Sequence, residues 1–311
     1  MGPQFGEVQL DSQGRLESGN DVCAVVVTYH PDGELPTRLA RILPQVKRLI
    51  IVDNGSGPAA VEMLRDLADD PRISLVLNLD NLGVARALNI GIERALELGS
   101  AWALLFDQDS CADPDLVQTL IRVHAAYPQP DRLAVIGSGF RDPNDSGQAS
   151  ADEDGGEGWD EREQVITSGS LVPLRTHALI GPFREEFFID YVAADYCFRA
   201  RAKGYHVICT RRPIMSHAIG AVTWHRWLWM RKWTFNHSAD RRYYIARNDT
   251  VMLREYGRYA FGLWALKSFR RRLRLCKRIM LYERSKASKV FAVAQGWWDG
   301  VRGHMGPRHK H

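Results

Sequence analysis

Three short clusters in this sequence carry side chains suited to chemistry: Asp53-Asn54, Asn81-Leu82-Gly83 and Asp107-Gln108-Asp109. Asp-x-Asp puts two hard oxygen ligands on one side of a short turn, an arrangement that suits Mg²⁺ or Mn²⁺ bridging a diphosphate. An acid such as Asp53 can accept a hydrogen bond from a base N–H or a ribose hydroxyl. Gly83 lets main chain approach a ligand closely just before a helix begins. Acidic turn residues are common, however, and most are solvated or cap a helix. For Asp113 that plain turn reading is kept.

The elements around these clusters give them weight. Val22–Thr28, Leu49–Asp53, Ile73–Leu77 and Trp102–Asp107 are apolar, largely β-branched or aromatic runs, as expected for strands buried on both faces of a parallel sheet. Between them, Leu35, Leu39, Ile42 and Leu43 share a helical face, residues 59–67 read as helix, and 84–98 form a long amphipathic helix. Asp113-Pro114 reads as the start of a helix running to about Ala126. Strands alternating with helices predict an α/β, doubly wound, mostly parallel, Rossmann-like sheet, whose ligands bind beyond the carboxyl ends of the strands. All three clusters fall there.

Farther along, 133–136 is expected to be a fifth strand and 141–163, rich in Gly and acid, an exposed loop. A strand over 167–172, a short helix over 175–180 and a helix from Asp190 to Lys203, ended by Gly204, complete this part. Beyond His217 the pattern is helical and cationic. Three segments result: a disordered tail over 1–20, an α/β domain over 21–215 and a basic, Trp-rich helical extension over 216–311.

Composition narrows the function classes. The five cysteines are odd in number and contain no C-x-x-C pair, which points away from a disulfide framework or a zinc site and toward a reducing cytoplasm. Residues 1–20 are polar and lack the apolar stretch of a secretory signal. No stretch holds the roughly 18 apolar residues of a membrane span. The net charge of +4 hides a strong asymmetry: from Arg211 onward there are 23 Lys+Arg against 5 Asp+Glu, and seven of the nine tryptophans.

Read together, Ala24-Val-Val-Val-Thr28-Tyr29, Ile51-Val-Asp53-Asn54-Gly55-Ser56, Asn81-Leu-Gly83-Val-Ala-x-Ala-Leu-Asn89-x-Gly91 and Leu105-Phe-Asp107-Gln108-Asp109-Ser110 resemble the family-2 inverting glycosyltransferases. Gly181-Pro-Phe183, Phe188-Ile189-Asp190, Asp195-Tyr196-x-x-Arg199-Ala200, His217-x-x-Gly220 and Arg242-Tyr243-Tyr244-x-x-Arg247-Asn248 continue the resemblance in order, over about residues 21 to 250. The Asp-Gln-Asp-Ser variant resembles the bacterial rhamnosyltransferase branch. The resemblance implies a GT-A fold and a metal-dependent transfer of a sugar, best assigned as L-rhamnose from dTDP-L-rhamnose, to a hydroxyl of a cell-surface glycan or glycolipid. It places Thr28, Tyr29, Asp53 and Asn54 around the nucleoside, and Asn81, Gly83 and Asn89 along the neighbouring wall. Asp107 and Gln108 fall in the ribose or metal region. Asp109 and His217, with Asp107, would ligate Mg²⁺ or Mn²⁺; Arg242, Tyr243, Tyr244 and Arg247 would reach the diphosphate or acceptor. Without the motif, His217 reads as a surface histidine and the last four as part of a membrane-facing basic helix.

One carboxylate is missing. Inverting transfer needs a base to take the acceptor proton, and in the family this is an Asp at the position occupied here by Ala193. A methyl group cannot accept a proton. The first explanation is a deliberate Asp→Ala change that traps bound substrate. The second is that Asp190 or Asp195 serves instead, although Asp195 lies two residues on, a turn of ~200° around a helix. The third is a natural pseudoenzyme.

The basic extension interleaves Trp224, Trp227, Trp229 and Trp233 with cations, a composition suited to an anionic membrane surface. The expected place of work is therefore the cytoplasmic face of the cell membrane. Nucleic acid is the electrostatic rival, but no helix-turn-helix, RNP-like or zinc-finger pattern supports it. Packing on the core or a homodimer interface is the plainer use of Trp297-Trp298. From another functional class, the rival is a catalytically silent sugar-nucleotide or polyanion-binding protein. A nucleotidyltransferase would need a Gly-rich cationic loop after the first strand, and Thr28-Tyr29-His30-Pro31-Asp32 is not one.

Overall fold

The computed structural model describes residues 21–142, 156, 158–217, 223–227, 230–234, 236–257 and 263–308, with side chains left aside at 223–234 and 263–265. The expected tail over 1–20, most of the expected loop over 141–163, Gly220 and Trp229 lie outside the described residues. The elements, in order, are β1 (Val22–Thr28), α1 (Leu35–Ile42), β2 (Arg48–Asn54), α2 (Pro58–Leu67), β3 (Ile73–Asn78), α3 (Val84–Glu97), β4 (Trp102–Asp107), β5 (Cys111–Ala112), α4 (Leu116–Ala126), β6 (Leu133–Arg141), β7 (Trp159–Glu161), β8 (Ser170–Pro173) and α5 (Leu174–Ile180). They continue with α6 (Val192–Ala202), β9 (His206–Ser216), β10 (Thr223–Trp227), β11 (Met230–Thr234), α7 (Ala239–Tyr256), α8 (Leu263–Tyr282) and α9 (Lys286–Arg302). The chain forms two compact units, one of residues 1–183 and 196–218, the other of 184–195 and 219–311.

The first unit is built on a sheet with strand order β3-β2-β1-β4-β8-β6-β9-β5, β7 adding to β9. From β3 to β4 every pairing is parallel. Every residue of β1 is buried, which accounts for its unbroken apolar run from Val22 to Val27. Helix α3 lies close to β1 through Gly91: a Cβ there would fall 2.2 Å from Val25 Cγ1.

The sheet is α/β and mostly parallel, as expected, but mixed beyond β4: β8 runs antiparallel to both β4 and β6, and β6 and β9 pair parallel again. Strand polarity is set by long-range pairing, which a local apolar run does not encode. Two boundaries also move. Cys111-Ala112 pairs with Met215–Ser216 and the Asp113 N–H donates to the Ile214 carbonyl at 3.0 Å, so α4 starts at Leu116 rather than at Asp113. Asp113 instead pairs with Arg141 at 2.6 Å. Helix α6 starts at Val192, not Asp190, because Phe188, Asp190 and Tyr191 all have positive φ, which a right-handed helix forbids.

The second unit departs more from its sequence reading. In place of continuous helix after His217, β10 and β11 form an antiparallel hairpin with Thr223 opposite Thr234. Helices α7, α8 and α9 then pack on one another around Ala246, Ile279 and Val293. Gly296 and Gly300 of α9 sit against the α7 backbone; a Cβ at 296 would lie 2.2 Å from the Tyr243 carbonyl oxygen. Among the described residues no helix is long and apolar enough to cross a membrane.

Candidate active site

Because β1, β2 and β4 are parallel and in register, their carboxyl ends bring chemistry to one edge of the sheet. Thr28 lies opposite Asp53, and Val27 opposite Asp107. The buried Asp53 carboxylate accepts from Thr28 Oγ1 at 2.9 Å, from the Ser56 N–H at 2.8 Å and from Ser56 Oγ at 2.5 Å. Asn54 continues the framework: its Nδ2 donates to Asn81 Oδ1 at 2.9 Å while its Oδ1 accepts from the Leu82 N–H at 3.0 Å. Asn81 Oδ1 also accepts from the Gly83 N–H at 3.0 Å, and Gly83 has φ 86° as α3 begins. These residues shape the loop wall through their own hydrogen bonds. Asn89 is buried and clamps Phe183, its Nδ2 donating to the Phe183 carbonyl and its Oδ1 accepting from the Phe183 N–H, both at 2.9 Å.

Gln108 ties the ends of β1 and β4 together. Its Oε1 accepts from the Tyr29 N–H at 2.7 Å, and its Nε2 donates to the Tyr29 carbonyl at 3.1 Å. The Tyr29 ring stays exposed beside this splice. Arg38 donates to the Gln108 carbonyl at 3.1 Å and pairs with Asp32, whose carboxyl is held below its ordinary range by that hydrogen bond.

Asp107, Asp109 and His217 converge, with one ligand atom from each lying within 4.8 Å of the others. A carboxylate pair and an imidazole fit a divalent ion that accepts oxygen and nitrogen. His217 arrives at the end of β9, its N–H donating to the Arg141 carbonyl at 3.0 Å. Its Nδ1 is 2.7 Å from Ser110 Oγ and 3.6 Å from Asp109 Oδ1. Ser168 Oγ donates to Ser110 Oγ at 2.6 Å and accepts from the Asp107 N–H at 3.1 Å. The two serines thus orient the histidine and one of the aspartates, a supporting shell of the kind that fixes ring orientation in metal sites. The sequence reading gives neither serine a role. Ser110 is inside the Asp-Gln-Asp-Ser motif, whereas Ser168 is 58 residues away and has no local signal.

In the second unit, Ala193 is half-buried in the first turn of α6. Asp195 is 0% exposed, and its Oδ1 accepts from Arg184 Nη1 at 3.2 Å and Tyr256 Oη at 2.9 Å. Asp190 pairs with Arg241 at 3.1 Å. The loop before Ala193 is held by α7. Asn248 Nδ2 donates to the carbonyls of Phe187, Ile189 and Asp190 at 3.0, 2.8 and 2.9 Å. Arg247 is fully buried and donates to the carbonyls of Glu186 and Phe187 at 2.8 and 3.1 Å, and to that of Gly306. Arg242 is buried in an ion pair with Glu283. Tyr243 Oη donates to Asp299 at 2.7 Å, and Tyr244 Oη accepts from the Arg308 N–H at 2.9 Å. These four residues, expected at the diphosphate or acceptor, are engaged within their own unit.

The family model for Glycosyl transferase family 2 matches residues 23–179, the strands and loops that carry the carboxylate cluster. A dTDP-rhamnosyl transferase, RfbF of Shigella flexneri, is 29% identical over 253 residues, covering 76% of this chain and 81% of that protein. Among solved structures, S. aureus TarS 1-349 in complex with UDP-GlcNAc aligns with TM-score 0.54 at 10% identity, over 91% of this chain and 83% of that one. The mannosyltransferase PcManGT from Pyrobaculum calidifontis, in complex with GDP-Man and Mn²⁺, aligns with TM-score 0.56 at 14% identity, over 91% of this chain and 75% of that one. At such identities the two solved structures speak for the fold, which is GT-A. With the family model spanning half of the sequence and the motif residues gathered at one sheet edge, this chain belongs to glycosyl transferase family 2 and is a glycosyltransferase.

Proposed function

We propose that this glycosyltransferase uses a divalent ion, Mg²⁺ or Mn²⁺, held by Asp109, His217 and Asp107, and takes L-rhamnose from dTDP-L-rhamnose. The observation that carries the reading is the convergence of these three residues where β4 and β9 end, with Ser110 holding His217 and Ser168 holding the Asp107 main chain. The ion, when bound, would neutralise the diphosphate as it departs. The rhamnose assignment is supported by the dTDP-rhamnosyl transferase relative. Thr28, Tyr29, Asp53, Asn54, Asn81, Gly83 and Gln108 supply the nucleoside side of the pocket. In an inverting transfer an acceptor hydroxyl oxygen bonds to the anomeric carbon, the bond from that carbon to the diphosphate oxygen breaks, and a base takes the hydroxyl proton. The acceptor is a glycan or glycolipid presented at the cytoplasmic face of the membrane.

The base belongs at position 193, where a methyl group stands. Asp195 is poorly suited to replace it, being fully buried and committed to Arg184 and Tyr256. The alanine favours a second reading, a protein that binds nucleotide-sugar but transfers it poorly or not at all. Calorimetric titration with dTDP-rhamnose, a UDP-sugar and a GDP-sugar, each with Mn²⁺ and with chelator, tests the donor reading. Tightest binding is expected for dTDP-rhamnose with Mn²⁺, and loss of the Mn²⁺ effect in Asp109→Asn/His217→Ala. A preference for the UDP-sugar would overturn the rhamnose assignment.

A further inference from the structure

Helix α8 contains seven Lys and Arg residues and no acid. Its inward side carries the buried residues Ser268, Arg272 and Ile279, and Arg271 and Arg272 are both paired with Asp249 of α7. At ~100° per residue, the opposite side collects Leu266, Arg270, Leu273, Arg274, Lys277 and Leu281. Phe269 and Met280 lie along one margin. Leu273 is 53% exposed, Met280 53% and Leu281 58%. A folded helix that holds three cations, Arg270, Arg274 and Lys277, beside exposed leucines on one outward side needs a partner offering both hydrocarbon and negative charge.

We infer that this outward side of α8 docks on an anionic lipid surface, lying in the headgroup plane with its leucines in the acyl boundary and its cations among the phosphates. The inference deepens the proposed membrane location of the acceptor and rests on it. Other occupants fit less well. A second copy docked face to face would oppose the same cations, a like-charge contact with no acid in either helix to relieve it. Nucleic acid would reward the cations but not exposed leucine and methionine. No helix among the described residues can span a bilayer, so attachment would be at the surface.

The test is flotation of the full chain with vesicles of phosphatidylcholine alone or mixed with phosphatidylglycerol. Recovery is expected with the anionic vesicles only, declining as salt rises. Leu273→Glu/Leu281→Glu and Arg274→Glu/Lys277→Glu should each weaken partitioning by about tenfold or more. Leu273→Ala/Leu281→Ala, which only truncates exposed side chains, should weaken it by a smaller factor without disturbing the fold. Controls on the first unit, Leu179→Glu and Arg94→Glu, should float as the unchanged chain does. Equal recovery with neutral vesicles, or leucine variants that bind as well as the parent, would overturn the inference. So would a dimer in solution broken by the leucine substitutions, or binding to single-stranded DNA without binding to vesicles. Donor titration separates the two proposals: a parent chain that binds dTDP-rhamnose but does not float with anionic vesicles removes the docking inference alone, whereas one that floats without binding donor removes the donor reading.

Discussion

At the scale of single residues, the proposed function separates binding from chemistry: Asp107, Asp109 and His217 gather two carboxylates and an imidazole, while position 193 carries a methyl group. Ala193→Asp should therefore raise turnover with saturating donor and acceptor by about 10²-fold or more, the usual range for a positioned base, and leave donor affinity near its starting value. Single-turnover rates and donor calorimetry on both forms check this; equal turnover would remove the base assignment. The residues behind position 193 carry a second prediction. Asn248 donates to three carbonyls of a loop that contains three positive-φ side chains. Asn248→Ala removes the Asn248 donor from the Ile189 and Asp190 carbonyls, while that of Phe187 keeps the Arg247 and Ile189 N–H donors, and should cost about 2 kcal/mol in urea unfolding. Asn248→Asp, which presents an acceptor to three carbonyls, should be no better than alanine. A neutral result for either would mean that the loop is held elsewhere.

At the scale of elements, Gly91 shows how packing overrides propensity. In an exposed helix interior Gly→Ala gains up to about 1 kcal/mol. Here a new Cβ would fall 2.2 Å from Val25 Cγ1 on a buried strand, so Gly91→Ala should instead destabilise by about 1–3 kcal/mol. Pairing it with Val25→Ala should recover part of that loss, measured as a double-mutant cycle in denaturant. A Gly91→Ala protein as stable as the parent would show that α3 can withdraw from β1 at no cost. The same contrast explains what could be read from the sequence. The strands from β1 to β4, the loops at their ends and the Asp-Gln-Asp-Ser segment are legible because apolar runs and turn residues are local signals. The hairpin of β10 and β11 is local but lies in a Trp-and-cation run that reads as helix, whereas the antiparallel β8 and Ser168 behind His217 depend on partners far along the chain. Local patterning does not carry that information. Arg242, Tyr243, Tyr244 and Arg247 are assigned to the diphosphate or acceptor by resemblance alone, and local pattern gives no sign of the partners they have within the second unit, Glu283, Asp299, the Arg308 N–H and the carbonyls of Glu186 and Phe187.

At the scale of the whole molecule, acid should unfold the protein earlier than its carboxylates alone would. His177 is buried in the first unit, stacked on Tyr196 and beside Phe183. Burial, reinforced by the nearby Arg199 charge, pushes its imidazole down to about 4 from the ordinary 6.5. Between those values the unfolded chain holds a proton that the folded chain lacks, so stability is fully present above about pH 6.5 and declines as the pH falls toward 4. At about 1.4 kcal/mol per pH unit, the loss reaches about 2 kcal/mol by pH 5 and about 3 kcal/mol near pH 4. His237, in the second unit, is pushed down to about 3 by its partial burial and then by Arg241, Arg242 and Lys289, and it acts in the same direction. Replacing one histidine should consequently remove only part of the acid limb. Urea midpoints at pH 7 and pH 5 for the parent and for His177→Leu provide the comparison. The parent should lose clearly more stability between the two pH values than the variant, whatever the variant's stability at pH 7. Parallel losses would mean that His177 is protonated in the folded state and that the acid sensitivity lies in other groups.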